Sequence, residues 1–449
     1  MSNKTKTVFT CNECGGQQPK WAGKCPECGA WNSMVEEKVL KKAIKHSTTE
    51  RRKLQTLNKP VHVKIDRSAT GIDEFDRVLG GGFVDGMVVL LAGEPGIGKS
   101  TLVLQILDKL KGDRFLYFSG EESEEQISLR ASRMGIENSR ILVACENNLE
   151  NITTHIENHQ PTAVVIDSVQ TIYSDAYDNV PGSVTQVREC AGTLLRKAKE
   201  LNFCAVFIGH ITKDGMIAGP KVLEHLVDTV LYLEGGKTNF YRTLRSMKNR
   251  FGSTNEVGLF TMKDTGLIPV DNPSEFFLAE RKKHVAGSTV AVSMEGTRPF
   301  LIEVQALVTQ SSYGNPQRTA NGIDHRRLAM LVAVLEKRAG FPLRLQDIFV
   351  NLVGGLRIDE TAINLGVVVA LASSFKDIPV NPAAVFIGEV GLVGEIRSVP
   401  LIEQRIKEAL KFSFKPVYIP KANLKQLDSV KSNEVVGIDS INHLFDEIF

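Results

Sequence analysis

The pattern of apolar and polar positions divides the 449-residue chain into stretches of different character. Six consecutive apolar residues, Met87–Ala92, have the length and make-up of a strand buried on both faces of a parallel sheet. Shorter apolar runs at Phe115–Phe118, Ala163–Ile166 and Ala205–Ile208 repeat the theme, and helical periodicity over Leu102–Leu110 follows the first run. Strands alternating with helices predict an α/β layer architecture. From about Asp271 the pattern changes to short strands at Thr289–Val292 and Phe300–Val308, helices at His325–Ala339 and Glu360–Phe375, and an apolar run opening at Ala384, which predicts a separate α+β domain. Gly80–Gly86, with four glycines, predicts a flexible turn before the first buried strand. The organisation this implies is a small N-terminal module over 1–35, a linker over 36–60, an α/β core over 61–270 and a C-terminal domain over 271–449.

Composition changes this picture in three places. With 42% hydrophobic and 24% charged residues the chain is ordinary globular material, and no apolar run nears the roughly 18 residues of a membrane span. Met1–Thr10 lacks the apolar stretch of a secretory signal, so the expected setting is cytoplasmic, with no membrane partner. The net charge of +2 excludes a global basic field, so any nucleic-acid surface must be local. Lys38–Lys64 is such a place, with Lys38, Lys41, Lys42, Lys45, Arg51, Arg52, Lys53, Lys59 and Lys64 against Glu50; it reads either as a polyanion contact or as a solvated linker.

Of seven cysteines, four fall in the first thirty residues as two C-x-x-C pairs, Cys11/Cys14 and Cys25/Cys28, each followed by glycine. Four thiolates at this spacing suit tetrahedral Zn²⁺, and so short a module needs the ion in order to fold. Iron or a redox dithiol is the competing chemistry. Cys145, Cys190 and Cys204 lie among apolar neighbours and read as inert core thiols. Trp21 and Trp31 flank the second pair, either packing the module or offering a stacking surface to a base or partner.

Directly after the first buried strand comes Gly93-Glu94-Pro95-Gly96-Ile97-Gly98-Lys99-Ser100-Thr101, the full G-x-x-x-x-G-K-[ST] pattern between strand and helix. Its glycines let backbone N–H groups wrap phosphates, Lys99 balances the β/γ charge, and Ser100 offers a hydroxyl to Mg²⁺; ATP is the expected ligand. Asp167, closing a second apolar strand, is the candidate second anchor for the metal. Glu121 and Glu122 follow a third strand, where either can polarise the attacking water, and His210 ends a fourth, positioned to sense the γ-phosphate. All three also read as ordinary loop polarity. Lys248 and Arg250, one residue apart, project to the same side of a strand and can jointly reach an anion. The loop Ile211–Pro220, with Lys213 and two glycines, suits single-stranded DNA or is a plain surface loop.

This order of strands, phosphate loop and strand-end residues resembles the RecA-like ATPases. With the Cys₄ knuckle, the pentapeptide Lys248-Asn249-Arg250-Phe251-Gly252 and the C-terminal domain, essentially the whole chain resembles a bacterial DNA-repair family of such ATPases. The resemblance implies a catalytic role for Glu121 and a sensor role for His210, where RecA keeps a glutamine. It also implies that Lys248 and Arg250 act in trans at a neighbour's ATP site, with a DNA contact or structural salt bridges as the competing uses.

The run Gly388-Glu389-Val390-Gly391-Leu392-Val393-Gly394-Glu395 and its surroundings resemble the peptidase domain of Lon-type proteases, which uses a Ser–Lys pair. Those two positions fall here on Ala362 and Arg405. Alanine carries no nucleophile and a guanidinium is no base, so an inactive scaffold for a ring, expected to be a hexamer, is implied rather than a protease. Thr361 is the one remaining hydroxyl candidate. Arg318, His325, Arg326 and Arg327 read as a duplex-binding surface or a solvated helix face.

The expectation is therefore a multi-domain protein: a Cys₄ zinc knuckle, an α/β RecA-like P-loop ATPase core and an α+β Lon protease-like inactive domain. The resemblance implies a hexameric DNA-dependent ATPase of recombinational repair, with ATP, Mg²⁺ and Zn²⁺ as cofactors. Its implied partners are single-stranded and branched DNA and a RecA-type recombinase, and its implied work is branch migration. The rival readings are an ATP-binding regulator of a partner recombinase without motor activity, and an ATP-dependent protease or unfoldase.

Overall fold

The computed structural model describes residues 5–11, 16–40, 66–177, 179–210, 221–235, 241–311, 316–355, 357–427 and 434–449. Cys14, the loop over 211–220 and the greater part of the basic linker lie outside them. The chain divides into two compact units, Met1–Pro269 and Val270–Phe449.

At the start of the first unit, Thr5–Cys11 pairs antiparallel with Gln17–Gln18 on one side and Met34–Leu40 on the other. The last strand stays in register from Cys11↔Met34 to Thr5↔Leu40, so residues 36–40, read from sequence as linker, are strand. Cys11, Cys25 and Met34 form the small buried centre with Phe9 against it. Trp21 and Trp31 are 60% and 71% exposed, which overturns the reading of either as packing for this module.

The core sheet runs Gly266–Pro269, Val257–Lys263, Tyr241–Asn249, Thr229–Glu234, Val88–Gly93, Cys204–His210, Ala163–Asp167, Phe115–Ser119, Ile141–Ala144 from edge to edge. The six strands from Thr229–Glu234 to Ile141–Ala144 are mutually parallel, and the other three continue the sheet as an antiparallel meander. Alternation along each strand feeds two apolar layers. Val89, Leu91, Val165, Val206 and Ile208 enter one, while Val88, Leu90, Val164, Ile166 and Phe207 enter the other. Burial on both faces is why these strands read as continuous apolar runs instead of alternating ones.

Register brings the carboxyl ends together. Gly93 lies opposite His210, Asp167 opposite Ile208, and Ser119 opposite Asp167. The helix predicted over Leu102–Leu110 is Lys99–Lys109, starting as soon as Gly98 releases the chain at φ 112°.

In the second unit, seven described strands form a sheet whose centre is the hairpin Ser288–Glu295 and Arg298–Gln310. The helix Asn364–Lys376, with Asn364–Ser373 all buried, lies against that hairpin. The predicted strand Phe300–Val308 is longer at both ends, and the predicted helix Glu360–Phe375 opens with a 3₁₀ turn, Thr361–Ile363.

Arg405 is the largest side chain buried without exposure. Its guanidinium donates to the carbonyls of Pro400 and Val292, both at 3.0 Å, and pairs with the Glu360 carboxylate. Glu360 in turn accepts from the Met294 amide at 2.8 Å. A buried cation with its hydrogen bonds filled ties the helix Ile402–Lys411 to the hairpin and to the turn before Thr361. Removing one member leaves the other charge uncompensated, at a cost of about 3–5 kcal/mol. Arg405→Leu should therefore lower the denaturant midpoint of the C-terminal unit in the full-length chain, read by hydrogen exchange across 288–295; an unmoved midpoint would mean that the pair contributes nothing.

Candidate active site and metal centre

The carboxyl ends of four parallel strands enclose a cavity of about 390 Å³, lined by Gly96, Gly98, Lys99, Ser100 and Thr101 of the phosphate loop and by Glu121, Asp167 and His210 from the neighbouring strands. Pro95, Glu122, Arg130 and Met262 complete the wall. The volume falls in the range of small-molecule and cofactor sites. Glu94 contributes a carbonyl, Gly93 is the last residue of its strand, and the Ile97 side chain is buried in the core below the loop. Gly98 is required where it stands. Its φ of 112° lies in the region that suits glycine, and a Cβ there would also approach Leu267 Cδ1 to 3.1 Å.

Lys99 is only 4% exposed, and its ammonium donates to the carbonyls of Gly93 and Glu94, both at 2.9 Å. Burial holds its pKa down to about 8, against the opposing pull of the Asp167 and Glu121 carboxylates. His210 Nδ1 lies 3.2 Å from the same ammonium. Its Nε2, sealed from water with no hydrogen-bond partner, stands 3.4 Å from Glu121 Oε2.

Glu121 is also held by the Ser168 hydroxyl, which donates to Oε1 at 2.5 Å. Asp167, 7% exposed, accepts from the Tyr117 hydroxyl at 2.5 Å. Burial first, and Asp167 second, push the Tyr117 phenol well above its ordinary value, so it stays a donor. Gly120 is what allows the two acids to follow the strand so closely: a Cβ there would lie 2.0 Å from Thr171 Oγ1, while its amide donates to the Asp167 carbonyl at 2.8 Å.

Sequence reasoning did not find Tyr117, Ser168 or Arg130. The only local signal for Tyr117 is a hydroxyl inside an otherwise apolar run. Arg130 sits on the helix Glu124–Arg133, where an arginine reads as solvated. The chemistry gathered here fits a magnesium–nucleotide complex: a cation and backbone amides for phosphates, hydroxyls and a carboxylate for a hard metal, and an acid beside an imidazole for water.

Lys248 and Arg250 do not line this cavity. The strand Tyr241–Asn249 carries a bulge between Ser246 and Lys248, ahead of both cations, and ends before Arg250. The two cations address one corner. Lys248 Nζ donates to the carbonyls of Glu224, His225 and Val227 at 2.7, 3.2 and 2.8 Å, and Arg250 pairs with buried Asp228 at 3.3 Å.

In the knuckle, the Cys11, Cys25 and Cys28 sulfurs all lie within 4.8 Å of one another, with Cys11 and Cys28 at 3.7 Å. Tetrahedral ligands at about 2.3 Å from a zinc ion stand about 3.8 Å apart, so this spacing fits the ion. Cys14 lies outside the described residues. Of the three other thiols, Cys190 and Cys204 are buried, and burial pushes both up to about 12. Cys145 is exposed, with its sulfur 3.2 Å from the Glu122 carbonyl, so the expectation of a core thiol fails there. A strand end just short of the core accounts for the miss.

In the second unit Ala362 is buried in the apolar core, and the Thr361 hydroxyl is engaged by Glu389 at 2.7 Å. Arg327, expected on an exposed basic face, turns its guanidinium to the carbonyls of Ile358, Asp359 and Glu360. Arg318, His325 and Arg326 are exposed.

Comparison with known proteins gives the same three parts. Residues 68–145 and 137–273 match the ATPase family profile described as KaiC, 9–36 match a rubredoxin metal binding domain, and 314–423 match subunit ChlI of Mg-chelatase. The chain is 50% identical over 446 residues to the DNA repair protein RadA of Bacillus subtilis, covering 98% of this chain and 97% of that one. It is 50% identical over 445 residues to its counterpart in Halalkalibacterium halodurans, with 98% and 97% covered. Identity is 48% over 451 residues to that of Streptococcus pyogenes serotype M1, with 99% of each covered.

Two outcomes follow from this geometry. Bound phosphate must raise the Lys99 pKa above its free value near 8, so affinity for a non-hydrolysable triphosphate should hold steady below pH 8 and weaken above it, by up to about tenfold per pH unit. Lys99→Arg, whose cation does not titrate there, should show no such decline in a calorimetric titration. For the knuckle, elemental analysis should find one zinc per chain. Cys25→Ala should lose it and raise the mobility of Trp21 and Trp31, the chain's two tryptophans, in fluorescence anisotropy.

Proposed function

This chain belongs to the RadA family of DNA repair proteins, and on that footing we propose that it is an ATP-driven motor of recombinational repair. In this reading it assembles as a hexamer, binds single-stranded DNA and moves the branches of recombination intermediates beside a RecA-type recombinase. The observation that carries the proposal is the convergence of Lys99, Asp167, Glu121 and His210 on one cavity at the carboxyl edge of the parallel sheet.

Ser100 and Asp167 would hold magnesium, which would supply neutralisation of phosphate charge. Backbone amides of Gly93–Thr101 and the Lys99 ammonium hold the triphosphate. Glu121, fixed by Ser168 and facing the His210 ring, orients and polarises the attacking water. His210 bridges Lys99 and Glu121, so a change in phosphate charge reaches the acid and the strand Cys204–His210 together.

Arg250 is the freer of the two pentapeptide cations and acts in trans at the adjoining subunit's site, the role of an arginine finger. Three carbonyl contacts favour a supporting role for Lys248, which fixes the end of the strand that delivers Arg250. The loop over 211–220 grips the DNA backbone. The knuckle binds Zn²⁺, and the C-terminal unit, with Ala362 and Arg405 in place of a nucleophile and base, serves as a ring scaffold and not as a peptidase.

Adding single-stranded oligonucleotide should raise ATP turnover, and Lys99→Ala should abolish it with or without DNA. Arg250→Ala should keep nucleotide binding yet lose at least about tenfold in turnover and all branch migration. A wild-type protein that hydrolyses ATP at a rate indifferent to DNA, and binds none in a filter assay, would instead be an ATP-binding regulator of its recombinase. Release of peptides from casein would overturn the scaffold reading.

A further inference from the structure

Two adjacent acids, Glu121 and Glu122, follow the strand Phe115–Ser119, and both line the cavity. Their surroundings differ. Glu121 meets a neutral hydroxyl, Ser168, and the ring of His210. Glu122 meets a full cation: Arg130 Nη2 pairs with its Oε1 from eight residues on, across the first turns of the helix Glu124–Arg133. That helix is fixed at its start by a capping box between Ser123 and Gln126, so the distance from the acids to Arg130 is set by helix geometry. The pair is closed on one leg only. Glu122 Oε2 and Arg130 Nη1 are both sealed from water with no hydrogen-bond partner.

We infer that Arg130 is a positioning residue for ATP hydrolysis: it neutralises Glu122 so that Glu121 alone acts on water. Neighbouring carboxylates on one turn disfavour each other's ionisation, and an adjoining guanidinium removes that penalty by compensating one of them. The other charged or titratable groups on this corner are Lys99 from the phosphate-loop helix, Asp167 and Tyr117 from the neighbouring strands, His210 opposite, and Cys145, whose sulfur touches the Glu122 carbonyl. Arg130 is the cation engaged with Glu122, whereas Lys99 is committed to the loop carbonyls. An arginine suits the task because its charge does not titrate and its planar fork can take a second leg on Glu122.

The inference rests on Glu121 being the acid that polarises water, and the test separates the two. Steady-state ATP turnover is measured against pH for the full chain and five variants. Glu121→Gln should lose at least about a hundredfold; if it retains turnover, the assignment of Glu121 fails, whatever Arg130 does. Arg130→Ala should lower kcat about tenfold with little change in KM, and should move the acid limb of the profile up by about one pH unit, because an uncompensated Glu122 charge then stands beside the site where water is activated. Arg130→Ala/Glu122→Gln should bring the limb back to the wild-type position and recover most of the lost turnover. Arg130→Lys, which keeps the charge, should leave the limb in place. A purely structural Arg130 predicts the opposite: a double variant as impaired as the single one, with an unmoved limb in both. Thermal midpoints and binding of a non-hydrolysable triphosphate show whether each variant is folded; if Arg130→Ala does not fold, the limb positions of Arg130→Lys and Glu122→Gln decide, since loss of the Glu122 charge should not move the limb upward. An upward shift in either, or collapse of turnover in Glu122→Gln, would overturn the inference.

Discussion

A cation buried without an anion organises this molecule's chemistry. Lys99 lies almost wholly out of water, and its charge is met by the carbonyls of Gly93 and Glu94 and the nitrogen of His210. Dipoles compensate an ammonium less well than a carboxylate does, which is why burial holds its pKa down to about 8. The two acids that pull the other way, Asp167 and Glu121, are engaged elsewhere by Tyr117 and Ser168. The cleft is thus built around an unmet positive charge, and a polyphosphate supplies what is missing. Placing that charge needs the apolar floor beneath it, because the same strands that bring Gly93, Ser119, Asp167 and His210 into line bury their other residues in two layers.

The parts legible in sequence are those whose chemistry is local. A phosphate loop carries its own glycines, lysine and hydroxyls in order, and strand-end acids announce themselves where apolar runs stop. Paired cysteines declare a metal in the same way. What escaped is what tertiary contact alone creates. Tyr117 looks like one more core aromatic until the neighbouring strand sets Asp167 against its hydroxyl. Arg130 becomes part of the cleft because a helix folds back over the acids, and Cys145 leaves the core because its strand ends early. Lys248 and Arg250 find the carbonyls of Glu224, His225 and Val227 and the Asp228 carboxylate, partners on another element that a two-residue period cannot reveal.

The C-terminal unit teaches the same distinction from the other side. Reading Arg405 as a lysine replaced by something that is no base addresses its chemistry and misses the physics. The guanidinium has no exposure, and the fold gives each of its three nitrogens a partner among Val292, Pro400 and Glu360. Glu360 is then tied back to the hairpin through Met294. A position that resembles a catalytic one has become the joint of three elements, and Ala362 beside it has joined the apolar core. Held by three elements at once, the guanidinium is fixed in place by its hydrogen bonds.

The pentapeptide and the phosphate loop are joined by one strand. Val88–Gly93 is six residues, about 20 Å of extended chain. At its far end the Val88 amide donates to Asp228 Oδ2 at 3.2 Å, and the Asp228 amide donates back to the Val88 carbonyl at 3.0 Å. The same carboxylate, 2% exposed, receives Lys199 at 3.1 Å and Arg250 at 3.3 Å. At the near end Gly93 gives its carbonyl to Lys99. That strand is buried on both faces and paired on both sides along its length. Asp228 thus meets two cations, Lys199 and Arg250, at one end of the strand whose other end holds the phosphate-loop lysine, so the pentapeptide and the loop share one buried element of the sheet.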